Sequence, residues 1–370
     1  MDPPLMIGLL SAAFLFPLAL VSFAYIRLIC RRNAPSRSGR DSPTDPELGE
    51  EPEAAKGDGN VALRRFRWAE VESLTGNFAP ATVIGEGGFS TVYLACLAPD
   101  ASPAAFKLQR PSERLHRAFR QELDVLIRLR HPYIVRLLGY CDDREEGVLV
   151  LEYVPNGSLH EKLHVDGGGA VLPWARRMAI AYQLAQALDY LHDGCDLQIV
   201  HGDVKASNVL LDGRLEPKLC DFGSARVGFS ATVLPRVAHP MLGSPGYVDP
   251  HYLRTGTVSK KNDVYSFGVL LLELITGSEA FDSAAERMLT AALGPALQDP
   301  CARAGELVDR RLAREYDAAE VAAAASMAAA CVWDNPSLRP SMAEVVRLLA
   351  QGASSSISAV GLASDGKAYV

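Results

Sequence analysis

The sequence has no basic surplus: 37 Lys and Arg stand against 44 Asp and Glu, a net charge of -7. Gripping a nucleic-acid backbone takes a clustered positive face, so nucleic acid is excluded as the main partner. Cysteine is sparse, seven in 370 residues, and never spaced as CxxC. The seven are scattered singly, at positions 30, 96, 141, 195, 220, 301 and 331. That distribution argues against a disulfide framework or a zinc site and reads as reduced thiols in the cytosol. No internal repeat is present, which excludes solenoids and propellers. Large apolar side chains nearly vanish between residues 33 and 60, where Pro, Ser, Gly, Asp and Glu dominate. Such a stretch buries too little to pack a core and reads as a tether.

What is present begins with a run of 22 uncharged residues, Leu5 to Ile26. As a helix it spans about 33 Å, enough for a bilayer core of roughly 30 Å. Pro17 is a kink that membrane helices tolerate. A cleaved signal peptide is the rival reading; against it, no Lys or Arg precedes the run, and the run exceeds a typical signal core. Arg27, Arg31, Arg32, Arg37 and Arg40 follow while only Asp2 precedes. The positive-inside rule then predicts a single-pass protein of the plasma membrane with its C-terminal side in the cytosol. Little chain is left outside, so the expectation is no ectodomain of its own and a co-receptor that carries one. Cys30 at the cytosolic edge is either a palmitoylation site or a plain interfacial thiol. The expected organisation is a transmembrane helix at 5–26, a disordered juxtamembrane linker at 27–64, a globular unit at 65–351 and a disordered tail at 352–370.

The first third of the globular unit reads as strands. "VIGEGGFSTVYLACL" (83–97) alternates apolar and polar residues around glycines, and "AAFKL" (104–108), "VRLLGYC" and "GVLVLEYV" are further strands. A helix is predicted from Glu113 to Arg130, ended before Pro132. Beyond Pro155 the pattern turns helical, with Ile180, Leu184, Leu188 and Leu191 on one stripe. "DVYSFGVLLLELITG" (263–277) is apolar nearly all round yet too short to span a membrane, so it predicts a buried central helix. Asp263 is its expected N-cap and Gly277 its stop. An Ala-rich helix is expected over about 318–332, and Ser341 with Glu344 matches a capping box. Strands first and helices after them indicate an α+β protein with a small sheet lobe and a larger helical lobe.

Chemistry concentrates in a few polar positions set among apolar runs. The glycines of "GEGGFS" (Gly85, Gly87, Gly88) precede a strand, not a helix, so a dinucleotide fold fails and a phosphate-covering hairpin with Phe89 as cap remains. Lys107 lies inside a strand. Glu122 lies in the buried stripe of Leu115, Phe119, Leu126 and Leu129, where a carboxylate needs a cation; Lys107 is the natural partner. In "IVHGDVKASNVLL", Asp203 and Asn208 stand five residues apart, and Asp221 of "CDFGSA" follows thirteen later. Asn and Asp oxygens suit Mg²⁺, a free Asp203 suits the proton of an attacking hydroxyl, and Lys205 suits a moving phosphoryl group.

With these residues in place, the sequence resembles the plant receptor-like (Pelle-related) Ser/Thr protein kinases over nearly all of residues 66–351. "VLVLEYVPNGSL", "GYVDPHY", "DVYSFGVLLLELITG" and "CVWDNPSLRPSMAEVVRLL" carry the resemblance. It implies a bilobal kinase fold, with an N-lobe at about 65–154 and a C-lobe at about 155–351, acting on ATP with Mg²⁺ (Mn²⁺ as alternative) and on protein substrates. It assigns Asp203 as catalytic base with Lys205 beside it, and Asn208 and Asp221 as metal ligands. Lys107 and Glu122 become the phosphate-binding pair, and Gly85, Glu86, Gly87, Gly88, Phe89, Ser90 and Val92 cover the nucleotide. Leu151 falls at the gatekeeper, with the hinge from Glu152 to Val154. Lys205 and Ser244 match the Ser/Thr form. Three positions depart from the pattern. Ser90 replaces a loop glycine, Gly202 replaces an arginine that receives an activation-segment phosphate, and His251 replaces a glutamate that pairs with Arg339. The resemblance is thus to kinases of the non-RD type. His251 puts the anchoring of the activation segment in doubt, and a pseudokinase or nucleotide-binding scaffold is the alternative function.

Overall fold

The computed structural model describes residues 63–97, 101–164, 170–228, 231–233 and 243–361. The expected membrane span, nearly all of the linker, Cys30, Ser230, the side chain of Thr232 and the last nine residues lie outside the described residues. Among the described residues no helix is long and apolar enough to cross a membrane. The chain divides into two compact units: residues up to Phe119 with Leu137–Tyr153, and Arg120–Arg136 with everything from Val154 on.

The first unit is a six-stranded sheet. Its strands are β1 (Arg64–Arg65), β2 (Val83–Glu86), β3 (Ser90–Leu97), β4 (Ser102–Gln109), β5 (Leu137–Cys141) and β6 (Val148–Glu152), in the order β1-β5-β6-β4-β3-β2. All pairs are antiparallel except β1 with β5. Helix α1 (Trp68–Leu74) covers one face, burying Trp68 and Val71 against Tyr93, Ala95, Phe106 and Val150. Gly147 closes the β5–β6 turn with φ +57, and a Cβ there would meet the Phe119 ring at 2.7 Å. Only glycine satisfies both demands. Among the described residues Cys141, Cys195, Cys220, Cys301 and Cys331 are free thiols, in line with the expected reduced set.

Helix α2 (Glu113–Leu126) stops four residues before the expected Arg130. The Arg130 guanidinium donates to the carbonyls of Ile127 (3.2 Å) and Leu129 (2.7 Å), which satisfies C-terminal acceptors and lets the chain straighten before Pro132.

The second unit is mostly helical. It holds α3 (Leu159–His164), α4 (Trp174–Asp189), α5 (Pro250–Thr255), α6 (Lys260–Thr276), α7 (Leu289–Leu297), α8 (Ala304–Leu307), α9 (Ala318–Cys331), α10 (Met342–Gly352) and α11 (Ser354–Ala359). Helix α6 is buried along nearly its whole length, as expected, and ends at Gly277 with φ +67. Its N-cap is Ser259, not Asp263: Asn262 completes a capping box there, and Asp263 lies a turn inside. A cap must sit where the first free N–H groups emerge, and the strand before α6 delivers Ser259 to that point. Ser341 and Glu344 do form the predicted box on α10.

The tail expected from Gly352 is ordered in its first part. Helix α11 packs on α4 with Ile357 buried. The cause lies 36 residues upstream: Glu320 accepts the Ser356 backbone N–H at 3.0 Å and the Ser356 hydroxyl, while Trp174 Nε1–H donates to the same carboxylate at 2.9 Å. A serine- and alanine-rich segment becomes a helix because a buried acid needs its donors.

Candidate active site

In the second unit the stretch from His201 to Asn208 is pinned at both ends by buried strands. β7 (Ile199–Val200) pairs with β10 (Arg226–Val227), and β8 (Val209–Leu211) pairs with β9 (Pro217–Leu219). The polar residues between them are organised from below by Asp263. Its carboxylate accepts the backbone N–H of His201 and of Gly202, both at 2.8 Å, and His192 Nε2 at 2.9 Å. One buried acid thus sets the path of the loop backbone. His201 is fully buried, edge-on to Phe222 with centroids 4.8 Å apart. Its Nδ1 accepts the Asp203 N–H at 3.2 Å, which leaves Nε2 to donate to the Cys220 carbonyl at 3.2 Å.

Asp203 is held on every side. Lys205 Nζ reaches Oδ2 at 2.7 Å, the Ser244 hydroxyl donates to Oδ1 at 2.8 Å, and Asn208 Nδ2 donates to Oδ2 at 3.1 Å and to the Asp203 carbonyl at 2.9 Å. Lys205 also donates to Ser244 Oγ at 2.7 Å. The structure therefore gathers Asp203, Lys205, Asn208 and Ser244 into one cluster. Because the Asn208 amide N–H groups are committed to Asp203, its amide oxygen is the atom suited to a cation.

Asp221 adopts φ +66, a left-handed conformation that costs a non-glycine residue about 1–2 kcal/mol. Phe222 beside it is fully buried. A Cβ placed on Gly223 would meet Asp221 Oδ1 at 3.6 Å and Glu122 Oε2 at 3.9 Å, so both carboxylates border that glycine. Among the described residues no group of three His, Cys, Asp or Glu forms a metal site alone. Asn208 and Asp221 fit a hard cation as two oxygen donors, with the remaining positions suited to phosphate and water oxygens.

The first unit holds a glycine turn of its own. Gly87 N–H donates to the Ser90 carbonyl at 2.9 Å, closing the β2–β3 hairpin, and Phe89 stands 62 % exposed at its tip. Val92 lies opposite Lys107, which in turn lies opposite Leu149, so Lys107 occupies an inner strand of the sheet. Glu152 ends β6 half-buried, and Val154 is buried. Glu122, placed with the second unit, is almost wholly buried, as its stripe predicts.

The doubt raised by His251 is answered by another residue. Arg339 is buried and makes a two-pronged pair with Asp249, Nη1 to Oδ2 at 2.6 Å and Nη2 to Oδ1 at 2.8 Å. His251 takes no part in that pair; its backbone N–H donates to Asp249, which caps α5. Sequence reasoning also passed over Glu273. This fully buried acid accepts Tyr247 Oη–H at 2.5 Å and the Ala280 N–H at 3.2 Å, and lies 3.1 Å from His164 Nε2. Burial and then the Glu273 charge push the Tyr247 phenol well above its ordinary pKa, keeping it a donor. Its oxygen in turn accepts the Ala206 N–H at 3.3 Å, tying the segment after Gly243 to the loop that carries Asp203. An acid inside an apolar helix was the available signal for both Glu273 and Asp263.

Comparison with known proteins agrees with this geometry. Residues 78–348 match the protein kinase domain family. The salt tolerance receptor-like cytoplasmic kinase 1 of Oryza sativa subsp. japonica is 58% identical over 328 residues, 87% of this chain and 90% of that one. The chain is a receptor-like serine/threonine protein kinase. A probable receptor-like protein kinase of Arabidopsis thaliana is 48% identical over 298 residues, covering 76% of this kinase and 86% of the relative. A probable leucine-rich-repeat receptor-like kinase of the same plant is 39% identical over 289 residues, but these make up only 32% of its length. Membership of this family implies ATP, a divalent metal ion and protein substrates for the kinase.

Proposed function

We propose that this kinase is anchored to the plasma membrane and transfers the ATP γ-phosphate to Ser and Thr hydroxyls of cytosolic proteins. The observation that carries the reading is Asp203, whose carboxylate is positioned at once by Lys205, Ser244 and Asn208. Asp203 takes the proton of the attacking hydroxyl as the new O–P bond forms, while the bond from the γ-phosphorus to the β–γ bridging oxygen breaks and its electron pair leaves with ADP. Lys205 offsets charge on the phosphoryl group in flight. Asn208 and Asp221 hold Mg²⁺, which supplies positive charge against the triphosphate. Lys107 is assigned to the phosphates, Gly85 to Ser90 with Val92 to covering the nucleotide, and the backbone from Glu152 to Val154 to the adenine. Gly202 offers no side chain to a phosphate on the activation segment, so activity is set without that capture.

Purified kinase with Mg-ATP tests the chemistry: the wild type labels itself, and Asp203→Asn and Lys107→Met do not. Equal labelling in wild type and Asp203→Asn removes the base from its role, and no labelling in any of them favours the pseudokinase. The anchor is supported by the uncharged run from Leu5 to Ile26 and the arginines behind it. Release of full-length protein by carbonate washing of membranes refutes the span.

A further inference from the structure

The structure assigns Asp249 as the positioning residue that fixes the segment between the catalytic loop and α6; this rests on the phosphotransfer reading above. The segment Gly243–Asp249 is tied at both ends. At one end the Ser244 hydroxyl bridges Asp203 and Lys205. In its middle Tyr247 reaches the Ala206 N–H and Glu273, and its carbonyl accepts the Ser266 hydroxyl at 2.8 Å. At the far end the Asp249 carboxylate, itself buried, takes four donors: two from Arg339, Asn262 Nδ2 at 2.9 Å and the His251 N–H at 2.8 Å.

The three donor residues belong to different parts of the unit. Arg339 is braced by the carbonyls of Trp333 (2.7 Å) and Lys261 (2.9 Å) and lies over the Tyr265 ring at 5.1 Å. Asn262 is the capping-box residue of α6, the same helix whose Asp263 holds the backbone of His201 and Gly202. One end of α6 therefore sets both the catalytic loop, through Asp263, and the segment that presents Ser244 to it, through Asn262 and Asp249. A buried, doubly bonded carboxylate–guanidinium pair is directional, so it fixes distance and angle together. Removing its negative charge leaves Arg339 buried without compensation and frees the segment at that end. Ser244 then loses its register with Asp203 and Lys205, while the groups assigned to the nucleotide are untouched. The protein hydroxyl, not ATP, is what such a kinase loses.

The test compares Asp249→Asn, Asp249→Glu and His251→Ala in the full chain, with casein as probe substrate. Asp249→Asn keeps an acceptor oxygen for the α5 cap but loses the charge. Expected is a fall of tenfold or more in kcat/KM for casein with KM for ATP within twofold. Asp249→Glu restores at least a third of the activity, and His251→Ala stays within twofold of wild type. Hydrogen exchange over residues 243–252 reads the anchor without any activity: it rises in Asp249→Asn and not in His251→Ala. Absence of phosphotransfer by the wild type would defeat the kinase reading, yet the exchange comparison would still decide the anchor. The proposal is overturned if Asp249→Asn keeps wild-type constants below its own unfolding temperature and differs only in Tm. It is also overturned if KM for ATP rises in step, if Asp249→Glu restores nothing, if His251→Ala costs as much, or if exchange does not separate the two variants.

Discussion

Gln183 sits in the middle of α4, fully buried, and neither its amide nitrogen nor its amide oxygen has a hydrogen-bond partner among the described residues. Folding buries both atoms, and no protein group among the described residues bonds them in return. Protein mutational data put the cost of a buried, unsatisfied polar group at about 1–3 kcal/mol. Methionine has the same unbranched reach without the amide, so Gln183→Met removes that cost while nearly preserving volume. The expected gain is about 2 kcal/mol, or some 4–8 °C in Tm for a domain of this size. Gln183→Ala removes the same amide but opens a cavity, and the two effects offset to within about 1 kcal/mol of wild type. Chemical denaturation followed by circular dichroism is the assay, with the midpoint rising and the slope unchanged for the methionine variant. A loss of 1 kcal/mol or more in Gln183→Met would refute the reasoning, since it would mean the amide is bonded in the folded protein.

Stability falls on acidification through His131, whose ring stacks on Tyr190 at 5.0 Å. Burial, with a smaller push from Lys218, lowers its pKa from 6.5 to about 4. The unfolded chain therefore binds the proton first, and stability is lost as pH drops from 6.5 toward 4, by about 1–2 kcal/mol after allowance for solvent screening. His131→Phe should flatten the Tm–pH profile in that window. Gly202 has φ +80 and gives its N–H to Asp263, so Gly202→Arg should cost about 1–2 kcal/mol of stability, read as a lower Tm, without a gain in activity. Ser230→Ala with Thr232→Ala should leave self-phosphorylation within about threefold, roughly 0.7 kcal/mol in the barrier. A hundredfold drop restored by acidic replacements would mean that some other basic residue receives the phosphate. Ser356→Asp places a second carboxylate against Glu320 and should release α11, seen as proteolysis near Gly352 and a Tm lowered by several degrees.

Much of this kinase was readable in one dimension, and the reason is local. Alternation in "STVYLACL" and the stripe on α4 record which side chains turn inward, because periods of 2 and 3.6 are properties of the chain itself. The cap at Ser341 and the stop at Gly277 follow from hydrogen bonds a few residues long. Asp203, Lys205 and Asn208 lie within six residues, so their spacing alone put them on one loop. Partner choice over long separations was not readable in that way. Asp249 and not position 251 receives Arg339, ninety residues away, because the start of α5 turns the aspartate inward beside Asn262. Asp263 looked like a helix cap but serves the backbone of residues 62 positions earlier, and Glu320 draws the Ser/Ala tail into a helix. The sequence by itself determined which faces of the long strands and helices turn inward and which motifs stand in order. Only the tertiary structure decided which buried charge meets which donor, since that pairing depends on where packed helices place their ends and not on any repeat along the chain.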